Sequence, residues 1–341
     1  MEMKTKLPLC EKPPMIANQF YALPLSIIFT QPQRYEDWFY NEFTQLQALI
    51  AEPSNEMQIK LYSALNDGLF APLDSIQIPY TAFDVGEDIV AFYRMLLKNG
   101  YYVRSFCNVK FFSSLHIEND YFHDFLIFGF DDDTSTFDVR AYQDYHLKDV
   151  KVSYDEMIQG HLTADRSQSV NQFITTYRLN DFQMESIVDC FSWRLMDYLG
   201  GINTCRREQM INYGFDPCYW GIRIYDLFDR FFENSDSNPV YIGRNSWYTV
   251  YEHKQHMQNK CRHFLKKGLI QYSDSLDQDL GEICNTAMRC VALHVKTKLK
   301  QGHNIEKDLQ ALQRNVKLLK EQELETYASL CRLNGWYVER G

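Results

Sequence analysis

Residues 121–160 read YFHDFLIFGFDDDTSTFDVRAYQDYHLKDVKVSYDEMIQG. The apolar run DFLIFGF and the alternating run TFDVRAY flank DDDTS, a cluster of turn residues, so the spacing predicts two strands joined by a tight turn. Period-two alternation sets Phe137, Val139 and Ala141 on one face of the second strand, and Asp138, Arg140 and Tyr142 on the other. The following VSYDEMIQGHL carries a capping box: the Ser153 hydroxyl accepts from the Glu156 amide, and the glutamate reaches back to the cap. His123 opens the first strand, where a rigid sheet can hold an imidazole as a proton shuttle.

Outward from this core, Pro8, Pro13 and Pro14 make residues 1–16 an extended lead-in, because proline fixes φ and biases its predecessor away from helix. FYALPLSIIF, residues 20–29, is predicted to be a buried helix with Pro24 in its first turn. EDWFYNEFTQLQALIA continues with helical spacing at Trp38, Phe39, Phe43, Leu46 and Leu49. QIPYTAF is a short extended piece, and GEDIVAFYRMLLKNG an amphipathic helix with Ile89, Phe92, Leu96 and Leu97 inward and Gly100 as its stop. YYVRSFCNVKFF and QFITTYRL read as strands.

Beyond residue 180 the pattern is helical, and the last long segment spaces Ile305, Leu309, Leu312, Val316 and Leu319 by four and three residues, the seam of an antiparallel bundle partner. The expected architecture is α+β. A domain over residues 17–180 holds a small antiparallel sheet, and a helical domain over 181–341 packs closely against it, since no Gly/Ser/Pro linker separates them.

A net charge of −10 argues against nucleic acid or an anionic membrane surface as the main partner. Nine cysteines, with no CxxC pair among them, point to reduced thiols and a cytoplasmic location. No segment approaches the ~20 apolar residues of a membrane helix. The GxGxxG, P-loop and GxSxG patterns are absent, and no cofactor is expected. His253 and His256 lie one helical turn apart near Cys261 and His263, but without the HExxH order, and no metal is expected. Trp220 and Trp247, with Tyr219, Tyr248 and Tyr251, read as core packing before an aromatic groove.

A neutral imidazole serves as base when a partner on its other nitrogen fixes the tautomer. Asp144, just past the second strand, is the first choice for that partner to His123, and Asp138 the second. The run from His123 to Met157 resembles the His segment of the butirosin biosynthesis protein H amino-terminal family, which is similar in fold to papain-like and C39-like cysteine peptidases. The resemblance implies an acyltransferase of antibiotic-type metabolite assembly, taking an aminoacyl group from a carrier-protein thioester to a small amine. It also implies a cysteine at the amino end of the first core helix, where the helix dipole lowers the thiol pKa. Here that helix is NQFYALPLSIIF, without a cysteine. Gln19 and Asn18 can donate to an oxyanion, while Cys10, Ser26 and Cys107 are the remaining nucleophile candidates.

Two functions follow as expectations. One is carrier-dependent acyl or aminoacyl transfer with His123 as general base and no enzyme thiol. The other is a pseudoenzyme that keeps the fold and binds a carrier protein or peptide. An acidic carrier would seek a basic patch, for which Lys254, Lys260, Arg262, Lys266 and Lys267 share one helix.

Overall fold

The computed structural model describes residues 3–51, 54–63, 70–82, 85–143, 146–167, 172–208, 219–232, 241–299 and 305–336. Along the chain run β1 (Lys4–Lys6), α1 (Gln19–Ile28), α2 (Pro32–Asn41), β2 (Leu46–Ala51), β3 (Glu56–Leu61), β4 (Leu73–Pro79), α3 (Val85–Lys98) and β5 (Tyr102–Asn108). Then come β6 (Phe122–Asp131), β7 (Thr136–Gln143), β8 (His146–Ser153), α4 (Tyr154–Leu162) and β9 (Phe173–Leu179). The rest comprises α5 (Val188–Gly200), α6 (Thr204–Arg207), β10 (Tyr219–Trp220), α7 (Ile224–Phe232), β11 (Tyr241–Ile242), α8 (Arg244–Lys266), α9 (Asp274–Leu299) and α10 (Glu306–Leu333). A mixed α/β region with two open sheets therefore precedes a largely helical one, an α+β architecture.

The chain forms two compact units, Met1–Tyr35 with Leu65–Gln183, and Glu36–Ala64 with Met184–Gly341. Residues 36–64, expected within the 17–180 domain, thus group with the helical part.

In the first unit the sheet is larger than expected, with seven strands in the order β4-β9-β5-β6-β7-β8 and β1 paired to β6. Every pairing in it is antiparallel. β5 covers one edge of β6 only as far as Ile127, and β1 takes over that edge from Gly129 to Asp131. The lead-in is therefore part of the sheet from Lys4. A β-bulge falls between Ile127 and Gly129, and at Gly129 an added Cβ would lie 2.8 Å from the Thr5 carbonyl and 2.8 Å from Asp138 Oδ2. Only glycine lets the third neighbour come this close.

Phe125, Ile127, Val139, Ala141, Val152 and Ile174 share a core with Leu97 of α3 and Met157 of α4. The alternation expected for β7 is present. Ser153 caps α4 with both halves of the capping box formed. β8, with fewer buried positions, gave no recognisable strand signal in the sequence.

α1 begins at Gln19, which puts Pro24 in its second turn rather than its first. From Tyr21 to Ile28 every residue is buried, so the lost backbone donor at Pro24 is offset by packing all round.

In the second unit the helical spacing expected through Leu46 and Leu49 gives way to a strand. Phe43, buried and at φ 58°, turns the chain out of α2, and Leu46–Ala51 pairs with Glu56–Leu61 in an antiparallel hairpin. Buried Met57, Ile59 and Leu61 alternate in β3, a period-two pattern that sequence reading passed over. β10 and β11 complete a four-stranded sheet. α8, α9 and α10 pack in succession, with Leu312, Val316 and Leu319 of the anticipated seam fully buried, and Ile305 and Leu309 only partly.

At the centre of this unit Lys254 Nζ lies 2.8 Å from Glu323 Oε1, both side chains wholly withdrawn from water. Tyr198 and Tyr225 donate to the same carboxylate, and Lys254 also donates to the Tyr198 hydroxyl at 2.8 Å. Burial lowers the lysine pKa against the opposing pull of Glu323. Removing one partner of such a pair leaves an uncompensated charge, which costs several kcal/mol. We expect Lys254→Ala to destabilise the protein by about 3 kcal/mol, read from the guanidinium midpoint at unchanged m-value. A loss under ~1 kcal/mol would show that the pair is dispensable.

Candidate functional site

β6 is exposed at Phe122, half-buried at His123 and buried from Asp124 onward. His123 lies opposite Cys107 in the β5 register, its ring stacked with those of Tyr121 (centroids 5.2 Å apart) and Tyr142 (6.2 Å). Nδ1 sits 2.9 Å from the Asp124 carbonyl oxygen and 3.3 Å from Asp124 Oδ1. A carbonyl only accepts, so Nδ1 is the donor in this contact, and in the neutral ring the lone pair then lies on Nε2. Among the described residues no hydrogen-bond partner reaches Nε2.

Asp124 is held from the other side by Arg104, whose Nε donates to Oδ2 at 2.7 Å. The Arg104 guanidinium lies 4.5 Å over the ring of Phe20 in the first turn of α1. A second tie runs from Tyr142, whose hydroxyl donates to the Ala17 carbonyl at 3.0 Å. Asn18 caps α1, accepting from the Phe20 amide at 2.9 Å. The amino end of α1 is thereby pinned to the strands that carry His123.

The anticipated partners of His123 fare differently. Asp144 lies outside the described residues. Asp138 is buried opposite Gly129, with its carboxylate 2.9 Å from Lys151 Nζ and 3.5 Å from Lys6 Nζ. Six residues along β6 separate that position from His123, about 20 Å at strand rise, so Asp138 does not orient the imidazole. Asp124 does. Strict alternation puts adjacent side chains on opposite faces, which hid this neighbour from a sequence reading; the strand end relaxes that rule.

Gln19 is the first residue of α1 and half-buried. Cys10 donates its amide to the Ser26 carbonyl at 2.8 Å, and its own carbonyl accepts from Arg140 at 2.6 Å. Arg140 itself pairs with Leu126 in the β6–β7 ladder. Ser26 is buried and its hydroxyl returns to the Ala22 carbonyl at 2.7 Å. Cys107 is sealed beneath α4, where a Cβ on Gly160 would lie 2.8 Å from its sulfur, and burial pushes its thiol pKa well up. Neither Ser26 nor Cys107 is an activated nucleophile for His123.

A second imidazole, missed in the sequence because nothing marks it apart from its neighbours in α4, is His161. Its Nε2 is 3.0 Å from the Tyr93 hydroxyl and 3.4 Å from Ser105 Oγ, and its Nδ1 accepts from Arg166 at 3.1 Å. Tyr80 joins through Ser105 at 2.7 Å. All of these but Arg166 are buried, so the network satisfies polar groups inside the core. Burial, and then the Arg166 charge, lowers the His161 pKa to about 3.

The remaining constellations resolve into packing. His253 Nε2 meets the Thr44 carbonyl at 2.9 Å and His256 Nε2 the Glu42 carbonyl at 3.0 Å, so both imidazoles are spent on backbone. No group of metal-ligating side chains is found among the described residues. Lys254 and Lys260 are fully buried, Lys260 on the Glu42 carbonyl at 2.7 Å, which removes both from the expected basic patch. Of the other three, Arg262 is paired to Asp277 and Lys267 to Asp37. His263, Asp37 and Ser186 bring an imidazole, a carboxylate and a hydroxyl together, but both oxygens approach the same Nε2, at 2.7 and 3.2 Å. A Ser-His-Asp relay needs them on opposite nitrogens. Trp220 and Trp247 are buried in the core.

No protein-family model matches the chain, and no curated protein is similar to it at a significant level.

His161 supplies a pH test. An unfolded His titrates near 6.5, whereas the folded His161 stays neutral down to about 3. The unfolded state therefore binds more protons in this window, and the stability present above pH ~6.5 is progressively lost as pH falls toward the folded value. We expect His161→Gln to flatten this slope in denaturant titrations between pH 6.5 and 4, while an unchanged slope would assign the acid sensitivity elsewhere.

Proposed function

We propose that the chain is a carrier-protein-dependent acyl or aminoacyl transferase, an amide-forming enzyme of specialised metabolite assembly, in which His123 is the general base. The reading starts from the resemblance of residues 123–157 to the butirosin biosynthesis protein H family and its papain-like, C39-like fold. The observation that carries it is the His123 hydrogen bond: Nδ1 donates to Asp124, so the neutral ring presents Nε2 as a proton acceptor at the mouth of a rigid strand. The ties from Tyr142 and Arg104 to the amino end of α1 support this reading.

Without a cysteine in α1, the acceptor amine attacks the carrier thioester directly. The amine nitrogen bonds to the acyl carbon and passes a proton to His123 Nε2. The carbon–sulfur bond then breaks, and the imidazolium returns that proton to the leaving thiolate, giving amide and free carrier thiol. Positioning of two bound substrates supplies most of the acceleration in such a scheme. Asp124 orients the imidazole in this scheme.

A non-catalytic relative that binds a carrier or peptide is the second reading, favoured by the missing thiol and by a His123 side chain only 15% exposed. Among the described residues no helix is long and apolar enough to cross a membrane. Carrier recognition, on either reading, does not run through Lys254 or Lys260.

The two readings separate when the protein is mixed with aminoacyl-loaded carrier and candidate amines and the amide is followed by mass spectrometry. His123→Ala is expected to slow product formation by about 10²- to 10⁴-fold. Equal product from both proteins would remove His123 as base. Carrier binding with no product from either would favour the non-catalytic reading.

A further inference from the structure

Tyr142 touches both halves of the candidate site: its ring lies nearly parallel to His123, at 13°, and its hydroxyl donates to the Ala17 carbonyl one residue before the α1 cap. We propose that Tyr142 is a positioning residue, coupling the amino end of α1 to the His123 imidazole so that a substrate lying across the helix terminus meets Nε2 in a fixed geometry. The proposal rests on the transferase reading for its catalytic consequence, but its structural half stands alone.

Three observations support it. Tyr142 is 6% exposed, so its hydroxyl is directed inward and its bond to Ala17 is shielded from competing water. It follows Ala141, which pairs with Phe125, so the backbone beneath the ring is locked into the β6–β7 ladder. The other tie, Arg104 over Phe20, holds the ring of α1's second residue but makes no bond to the backbone at the cap. The Tyr142 hydroxyl thus holds the backbone at the α1 entrance, while its face lies against the His123 ring. A misplacement of ~1 Å between reacting groups is enough to cost a large part of the rate.

Tyr142→Phe keeps the face and deletes the hydroxyl. Amide hydrogen exchange at Phe20, Tyr21 and Ala22 is expected to accelerate about tenfold, with the melting transition still cooperative. The His123 tautomer, read from its imidazole ¹⁵N shifts, is expected to stay as in wild type. In the carrier assay kcat is expected to fall about tenfold with KM within about twofold, the split of a positioning defect rather than lost binding. Unchanged exchange at the α1 entrance overturns the coupling whether or not the protein turns over. Normal kcat in Tyr142→Phe, alongside an inactive His123→Ala, overturns the positioning role while leaving the base intact. Absence of turnover in wild type counts against the transferase reading alone, and the exchange experiment still decides the coupling.

Discussion

From Asp124 to Asp131 every residue of β6 is withdrawn from water, and the rest of the first unit is arranged around that burial. One face packs on α3 and α4 through Phe125 and Ile127. The lead-in and α1 are tied to the sheet by the Leu7 amide on the Phe128 carbonyl and by Arg140 and Tyr142 on the Cys10 and Ala17 carbonyls. Both edges are paired along the length, β7 on one and β5 then β1 on the other. A strand sealed in this way can offer chemistry only at its end. His123 lies at that end, and the buried Asp124–Arg104 pair beside it holds the ring.

The second unit is organised by a different constraint. The chain leaves α2 through a buried turn at residues 42–45, with Phe43 in the left-handed region, and a buried turn must find partners for its carbonyls. α8 supplies them from one face: His253 and His256 to the Thr44 and Glu42 carbonyls, and Lys260 to Glu42 and the Thr44 hydroxyl. Arg194 of α5 adds a bond to the Asn41 carbonyl at 2.8 Å. Side chains that in a linear reading look like metal ligands or a docking surface are thus internal donors. Burial lowers the Lys260 pKa, helped by the Arg194 charge, and the same burial makes each of its hydrogen bonds costly to lose.

The misread elements share a cause. Phe43, Leu46 and Leu49 satisfy a helical period as well as they satisfy a turn followed by a strand, and only the pairing of β2 with β3 and β10 decides between them. The tight α4 cap was readable because Ser153 and Glu156 are three residues apart and act within one turn. The partner of His123 was not, because a strand-end imidazole folding back on its own neighbour breaks the alternation by which strands are read.

What the sequence determined by itself was local: the β6–β7 pair around DDDTS, the α4 capping box, the inward faces of α3 and β7, the seam of α10, and the absence of a thiol from α1. Each depends on residues a few positions apart, whose hydrogen bonds and periodicities are written directly in the chain. Tertiary structure decided everything that depends on a distant partner: the seventh strand at Lys4–Lys6, the grouping of residues 36–64 with the helical part, the engagement of Asp138 by Lys6 and Lys151, and the burial of Lys254 and Lys260. A charge or an imidazole carries no mark of whether water or a buried carbonyl will meet it, since desolvation is a property of the folded surroundings and not of the residue.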